Sequence, residues 1–292
     1  MAWLALAATA WACAPVVAAE EPQADPASTL QARYAALTEQ LQRSPFPQPL
    51  YIESVEGRRA SSGDVYAIVA YPIAAVRDAL TNPLAWCDAL ILHLNVKYCH
   101  PDSVDERTVL SVAIGRQVDE RLSSATRVEF AYRIAASRPD YLGVELHADK
   151  GPLGTGNYLI GFEAIGLESE RSFVHLRYSY TYGFAGRFAM QMYLATSGSR
   201  KVGFTIIGDP NDPQPEFIGG ARGAIERNAM RYYLAIDAYL GALATPAPER
   251  FEDSLGRWFD ATERYSRQLH EVDREAYFAM KRREYVRQQT MQ

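Results

Sequence analysis

Cys87 and Cys99 bracket His93, and His100 follows Cys99 directly, so the sequence groups thiol and imidazole side chains, the usual ligands of a transition metal. A closed tetrahedral site needs four ligands at ligand spacing. No second cluster supplies the rest, so no metal is expected. Of the three cysteines, Cys13 falls in an apolar N-terminal stretch that is expected to be removed. Cys87 and Cys99 are then the pair left, and in an oxidising compartment they are expected to form one disulfide. Closing that loop restricts the unfolded chain by roughly 3 kcal/mol. His175, with tyrosines near it in sequence, has the chemistry of a general acid or base, and Arg231 has the chemistry to hold an acidic head group. The sequence contains no G-x-S-x-G elbow, H-E-x-x-H pair, P-loop or G-x-G-x-x-G fingerprint, so no residue is assigned a catalytic role and no cofactor is expected.

These side chains need a scaffold, and hydrophobic periodicity outlines one. Residues 25 to 44 start with the helix-capping Asp25 and Ser28 and carry Leu30, Tyr34, Leu37 and Leu41 at helical spacing. After the proline-rich break from Pro45 to Pro49, the pattern changes to period two. In Thr126 to Ala135, the residues Thr126, Val128, Phe130, Tyr132 and Ile134 point one way, and Arg127, Glu129, Ala131 and Arg133 point the other. Similar alternation recurs at Asp64 to Tyr71, Thr108 to Ile114, Tyr141 to Ala148, Gly156 to Ile165 and Ser172 to Tyr182. Short turn-rich connections between them predict an antiparallel meander. A helical stretch follows Pro72 and breaks at Asn82-Pro83. A second, from Gly220 to Leu243, carries Ile225, Ala229, Tyr232, Ile236 and Leu240 on one flank and further apolar residues on others, so it must be covered on several sides. Beyond Pro248, Leu255, Trp258, Phe259, Thr262, Leu269 and Val272 form an apolar stripe in a charge-dense tail, read as one or two amphipathic helices packed back on the domain. Lys281-Arg282-Arg283 reads as a solvated helix end rather than a lipid-binding patch.

A chain that is 48% hydrophobic and 22% charged is in the globular range, and a net charge of −5 argues against nucleic acid as partner. Residues 1–19 carry no charged side chain, are too short an apolar run to span a bilayer, and end in Val17-Ala18-Ala19, the small residues a signal peptidase requires. They read as a cleaved export signal. The expected location is the bacterial periplasm, the alternatives being a lipid anchor at Cys13 or a retained N-terminal anchor. The domain reading is 1–19 signal peptide, 20–47 N-terminal helix and linker, 48–246 main domain and 247–292 helical extension.

The segment VYAIVAYPIAAVRDALTNPLAW, followed by the meander and the broad-faced helix at 220–243, resembles the START-like (helix-grip, SRPBCC) superfamily over about residues 59 to 244. The string WCDALILHLNVKYC is similar to an exported proteobacterial subgroup with that core. The resemblance implies an α+β helix-grip fold, a curved antiparallel sheet wrapped around a long C-terminal helix, with extra N- and C-terminal helices. Residues 183 to 208 look like an insertion before that helix. The resemblance also implies a hollow between sheet and helix, lined by Phe130, Tyr132, Tyr158, Phe162, Tyr178, Tyr180, Met230 and Tyr233, with Arg231 for a head group. Such a hollow suits a lipid or other hydrophobic small molecule, which makes the expected function a carrier or binding protein with possible transient contact with a membrane surface. The alternatives are a cyclase- or hydrolase-like enzyme using the same cavity, and a noncatalytic interaction protein whose grip is filled by its own side chains.

Overall fold

The structure, a computed structural model, describes residues 25–291 apart from 197, 199, 210, 211 and 213; the expected signal peptide and Cys13 lie outside the described residues. Helix α1 (Pro26–Gln42) begins where Asp25 accepts hydrogen bonds from the Ser28 backbone N–H at 3.1 Å and the Ser28 hydroxyl at 3.0 Å, with proline in the first turn. A hairpin of β1 (Leu50–Glu56) and β2 (Ala60–Val69) leads into α2 (Ile73–Leu80) and α3 (Pro83–Leu90). The Asn82-Pro83 break is the start of α3: Asn82 accepts the Leu84 N–H at 3.0 Å and Pro83 needs no hydrogen bond there. The meander is β3 (Val96–Val104), β4 (Arg107–Ile114), β5 (Thr126–Arg138), β6 (Tyr141–Lys150), β7 (Thr155–Leu167) and β8 (Arg171–Tyr182). Then come α4 (Phe184–Ala195), the two-residue strands β9 (Ile206–Ile207) and β10 (Glu216–Phe217), the long α5 (Gly220–Ala242), and the tail helices α6 (Arg250–Glu263), α7 (Ser266–Leu269) and α8 (Arg274–Thr290).

Strands one to eight form a single antiparallel sheet in the order β1-β2-β8-β7-β6-β5-β4-β3, curved around the helices on its inner face. Helix α5 lies against β1, β2 and β8, while α2 and α3 cover β3, β4, β6 and β7. Gly63 of β2 permits the close approach of α5, because a Cβ there would stand 3.2 Å from the Ala229 Cβ and the Ile225 carbonyl oxygen. Strands β1 and β3 carry no clear period-two signature, since β1 follows the proline-rich break and β3 holds a bulge at Lys97 and a proline at position 101. Their place in the sheet comes from pairing with neighbours.

The outer face of the sheet is only partly wet. Helix α1 packs across it through Ala27, Leu30, Leu37 and Leu41, forming a second apolar cluster with Tyr66, Tyr141, Ile165 and Phe173. Inside, one large core runs without interruption from the sheet through α5 into α6 and α8, where Leu255, Trp258, Tyr277 and Met280 are buried. The tail also carries a buried charge cluster that no periodicity in the sequence marks. Lys97, Lys281 and Glu284 are each 0% exposed. Lys281 is therefore no part of a solvated patch, and its neighbours Arg282 and Arg283 pair with Glu252 at 2.7 Å and Asp119 at 2.9 Å.

Cys87 and Cys99 form a disulfide that ties α3 to β3 beneath α8, whose Gln288 accepts the Cys99 N–H at 3.1 Å. Opening it with reductant, or by Cys87→Ser, is expected to lower stability by about 3 kcal/mol in chemical denaturation. An unchanged midpoint would show that the bond constrains little.

Candidate ligand-binding pocket

Three tyrosines on adjacent strands line an opening into the grip. Tyr158 of β7 and Tyr178 and Tyr180 of β8 point to the inner face, because positions of like parity share one face of a pleated strand. Their rings pack as a set, with centroids 5.4 Å apart for Tyr158–Tyr180, 6.2 Å for Tyr158–Tyr178 and 5.8 Å for Tyr178–Tyr180. The pocket they line has a volume of about 260 Å³. Its other walls are the short turn at Pro152–Gly154, Gly186 and Met190 of α4, and Asn228 of α5. Gly151 is required here, since any Cβ at that position would run into the Tyr158 ring.

The aromatic line continues inward. Tyr232 of α5 lies 5.1 Å from Tyr178, and His93 stacks on Tyr232 at 4.5 Å. His93 Nδ1 accepts the Asn95 N–H at 3.1 Å, so the ring hydrogen sits on Nε2, which is buried and has no partner. Burial, with the charges of Arg231, Lys281 and Lys97 behind it, drives the His93 pKa well down and keeps the ring neutral. Tyr158 shares a 2.7 Å hydrogen bond with the Thr155 hydroxyl. By contrast, among the described residues the hydroxyls of Tyr178, Tyr180 and Tyr232 make no hydrogen bond. Burial, above all, raises the pKa of each, so all three remain neutral O–H groups, and those of Tyr178 and Tyr180 line an apolar pocket with donors to offer.

The other expected lining residues go elsewhere. Phe130 and Phe162 are packed into the solid core, Phe130 against Tyr158 and Phe162 edge-on to Trp86. Tyr132 donates to the Leu80 carbonyl at 3.2 Å, at the end of α2. Met230 lies on the side of α5 opposite Asn228, fully buried, and Tyr233 donates to the Gln48 side-chain oxygen at 3.1 Å. Arg231 turns to the tail, where it donates to the Leu269 carbonyl at 3.3 Å and Glu271 at 2.7 Å. From α5, Asn228 reaches the pocket and Tyr232, one turn on, packs against Tyr178; only Tyr232 belongs to the Ile225–Ala229–Tyr232–Ile236 stripe, which sequence does not separate from the other apolar flanks.

His175 is on the outer face, across the sheet from the pocket. Its Nε2 lies 2.8 Å from Asp64, its Nδ1 3.0 Å from Glu163, and its ring stacks on Tyr66 at 4.4 Å. Burial opposes its charged form, but the hydrogen bonds to the two carboxylates and their charges outweigh that and raise its pKa. The arrangement is a buried ion cluster and cannot reach a molecule in the tyrosine pocket. Two larger clefts, of about 470 and 620 Å³, lie elsewhere, one at the β1 edge of the sheet between α1 and residues 204–206, the other along β3 and β4. Among the described residues no cluster of His, Cys, Asp and Glu fits a metal ion.

No family model matches the sequence, and no curated protein matches it. Solved structures similar to the chain include the human StAR-related lipid transfer protein 5, at 12% identity over 59% of this chain and 90% of that one, with a TM-score of 0.31. The Zhui aromatase/cyclase from Streptomyces shares 12% identity over 76% of this chain and 100% of its own, at 0.31, and norcoclaurine synthase from Thalictrum flavum 10% over 50% and 78%, at 0.33. Likeness at these values carries no argument about activity. The architecture rests on the chain's own topology: an eight-stranded antiparallel sheet, a helical pair between β2 and β3 and a long C-terminal helix held in its curve give this protein an α+β helix-grip fold.

Proposed function

We propose that the protein binds a small amphiphile, with an apolar body and at least one oxygen acceptor, in the tyrosine pocket, as an exported carrier or binding protein. The observation that carries this reading is the set of hydroxyls on Tyr178 and Tyr180 that make no hydrogen bond to the protein and open onto an apolar cleft, where they can donate to a ligand oxygen. The volume of about 260 Å³ lies at the lower edge of the usual range of roughly 300–1,000 Å³. It suits one ring system or one short chain and is too small for a two-chain lipid. Phe130, Phe162 and Met230 occupy the space a larger cargo would need. The Cys87–Cys99 disulfide supports an oxidising compartment, in keeping with the leader-like residues 1–19.

The test is native mass spectrometry and solvent extraction of protein purified from its source, followed by calorimetric titration of the recovered compound. Tyr178→Phe and Tyr180→Phe are each expected to weaken binding by roughly 1 kcal/mol, with the fold intact. Full affinity in the double variant would remove the hydroxyls from recognition. Recovery of protein with no co-purifying compound would favour a scaffold role.

A further inference from the structure

Helix α4 covers the pocket with one side and leaves the other bare. Gly186 and Met190 face the tyrosines. On the opposite side Phe184, Phe188 and Met192, spaced four residues apart, form a single stripe and are 91%, 58% and 51% exposed. Leu153, from the turn on which α4 rests at Gly186, is 75% exposed at the mouth of the pocket. Large apolar side chains gathered in this way on a surface mark an interaction site, whereas scattered ones would need no explanation.

Charge at the same end of the sheet identifies the partner. The β1–β2 turn, the end of β6, the start of β7 and the end of β8 all meet there, as the pairings Ala60↔Thr181, Lys150↔Gly156 and Thr155↔Tyr182 require. Arg58 and Arg59 in that turn, Lys150 and Arg187 make no ion pair among the described residues. Among the described residues of these segments the acidic groups are Glu56 and Asp149, the latter 3.8 Å from His147. A net positive rim on a chain of net charge −5 is a local feature. Apolar residues flanked by unpaired cations are complementary to an anionic bilayer, where the aromatic and Met side chains enter the acyl boundary and the cations meet the head groups.

We infer that α4 and Leu153 form a docking surface for an anionic lipid membrane, placing the mouth of the tyrosine pocket at the bilayer interface. The pocket reading supplies the purpose, uptake or delivery of an amphiphile, but docking is measured without cargo. Ligand-free protein is cosedimented with vesicles of phosphatidylethanolamine and phosphatidylglycerol, and with vesicles of phosphatidylcholine alone. The wild type binds the anionic vesicles. Phe184→Glu with Phe188→Glu reduces that binding by about tenfold or more, and Leu153→Glu, on a separate segment, reduces it in the same direction. Arg58→Ala and Arg59→Ala each cost about fivefold on anionic vesicles and nothing on neutral ones. Circular dichroism melts confirm that these surface variants fold. The inference is overturned if the wild type leaves anionic vesicles in the supernatant, or if the phenylalanine variant binds them undiminished. It is equally overturned if ultracentrifugation shows a dimer that the phenylalanine variant dissolves while vesicle binding is absent, because a second copy of the chain would then be the occupant. Asn228→Trp, which fills the pocket, leaves vesicle binding unchanged, so failure of the pocket reading and failure of docking give different results.

Discussion

Glu284→Gln is expected to destabilise the protein by about 3–5 kcal/mol, seen as a drop of roughly 10 °C in melting temperature. Glu284 is the single carboxylate in a cluster with no exposure. Its Oε1 accepts from Lys97 Nζ at 3.0 Å and its Oε2 from Lys281 Nζ at 2.8 Å. Lys97 also donates to the carbonyls of Leu94 and Val118 at 3.0 and 3.1 Å, and Lys281 to those of His93 and Val96 at 2.6 and 2.8 Å. The two lysines thus stitch α8 to the bend between α3 and β3, and the carboxylate makes their burial tolerable. With glutamine the hydrogen bonds partly survive while two ammonium groups lose their counter-charge. Replacing all three residues by apolar ones of similar size should be far milder, because breaking a buried ion pair costs more than never building it. If the single substitution is as mild as the triple, the charges are not what holds α8.

The same cluster sets a pH dependence. Burial, reinforced by Lys97 and opposed by Glu284, lowers the Lys281 pKa from its ordinary 10.5 to about 8. Between those values the unfolded chain binds more protons than the folded one, so stability rises with pH across that interval, by up to about 3 kcal/mol. Buried tyrosines such as Tyr277, whose pKa is raised by burial, oppose this once unfolded tyrosines ionise near pH 10. Denaturation curves from pH 7.5 to 9.5 should therefore show increasing stability in the wild type. Lys281→Met should flatten that slope.

Asn228→Trp is expected to abolish pocket binding, lowering affinity more than about 100-fold while stability changes by no more than about 1 kcal/mol. Asn228 projects from α5 into a space of about 260 Å³ and makes no hydrogen bond among the described residues, so the substitution gives up no partner. An indole there takes the volume between Tyr180 and Met190. Asn228→Ala, which widens the pocket, should keep or increase binding. The measurement is titration with 1-anilinonaphthalene-8-sulfonate and with the compound recovered from native protein, alongside melts of each variant. Retained affinity in the tryptophan variant would place the ligand elsewhere, with the 470 and 620 Å³ clefts as the next candidates.

Local chemistry was enough to determine most elements from sequence. The Asp25 cap, the Asn82-Pro83 start and the period-two runs of β5 to β8 are decided by residues within a few positions of one another, and α1, α3 and the meander form where those signals lie. The pairing of Cys87 with Cys99 was legible because few partners existed. Strands β1 and β3 were not, since their residues become strand only by pairing with β2 and β4.

Tertiary structure decided what the pocket is. A face of a strand can be read from parity, which brought Tyr158, Tyr178 and Tyr180 into consideration together; how deep the space beneath them runs depends on whether Trp86, Phe162 and Met230 fill it, and they do. Helix α5 is apolar nearly all round, so periodicity could not tell that Asn228 and Tyr232 face the sheet while Arg231 and Tyr233 face residues some 40 and 185 positions away. Sequence fixes which side chains share a local face, because backbone geometry repeats over a few residues. Which face meets which, and hence whether a lysine is a solvated cation or a buried strut, is set by long-range packing that no local pattern encodes.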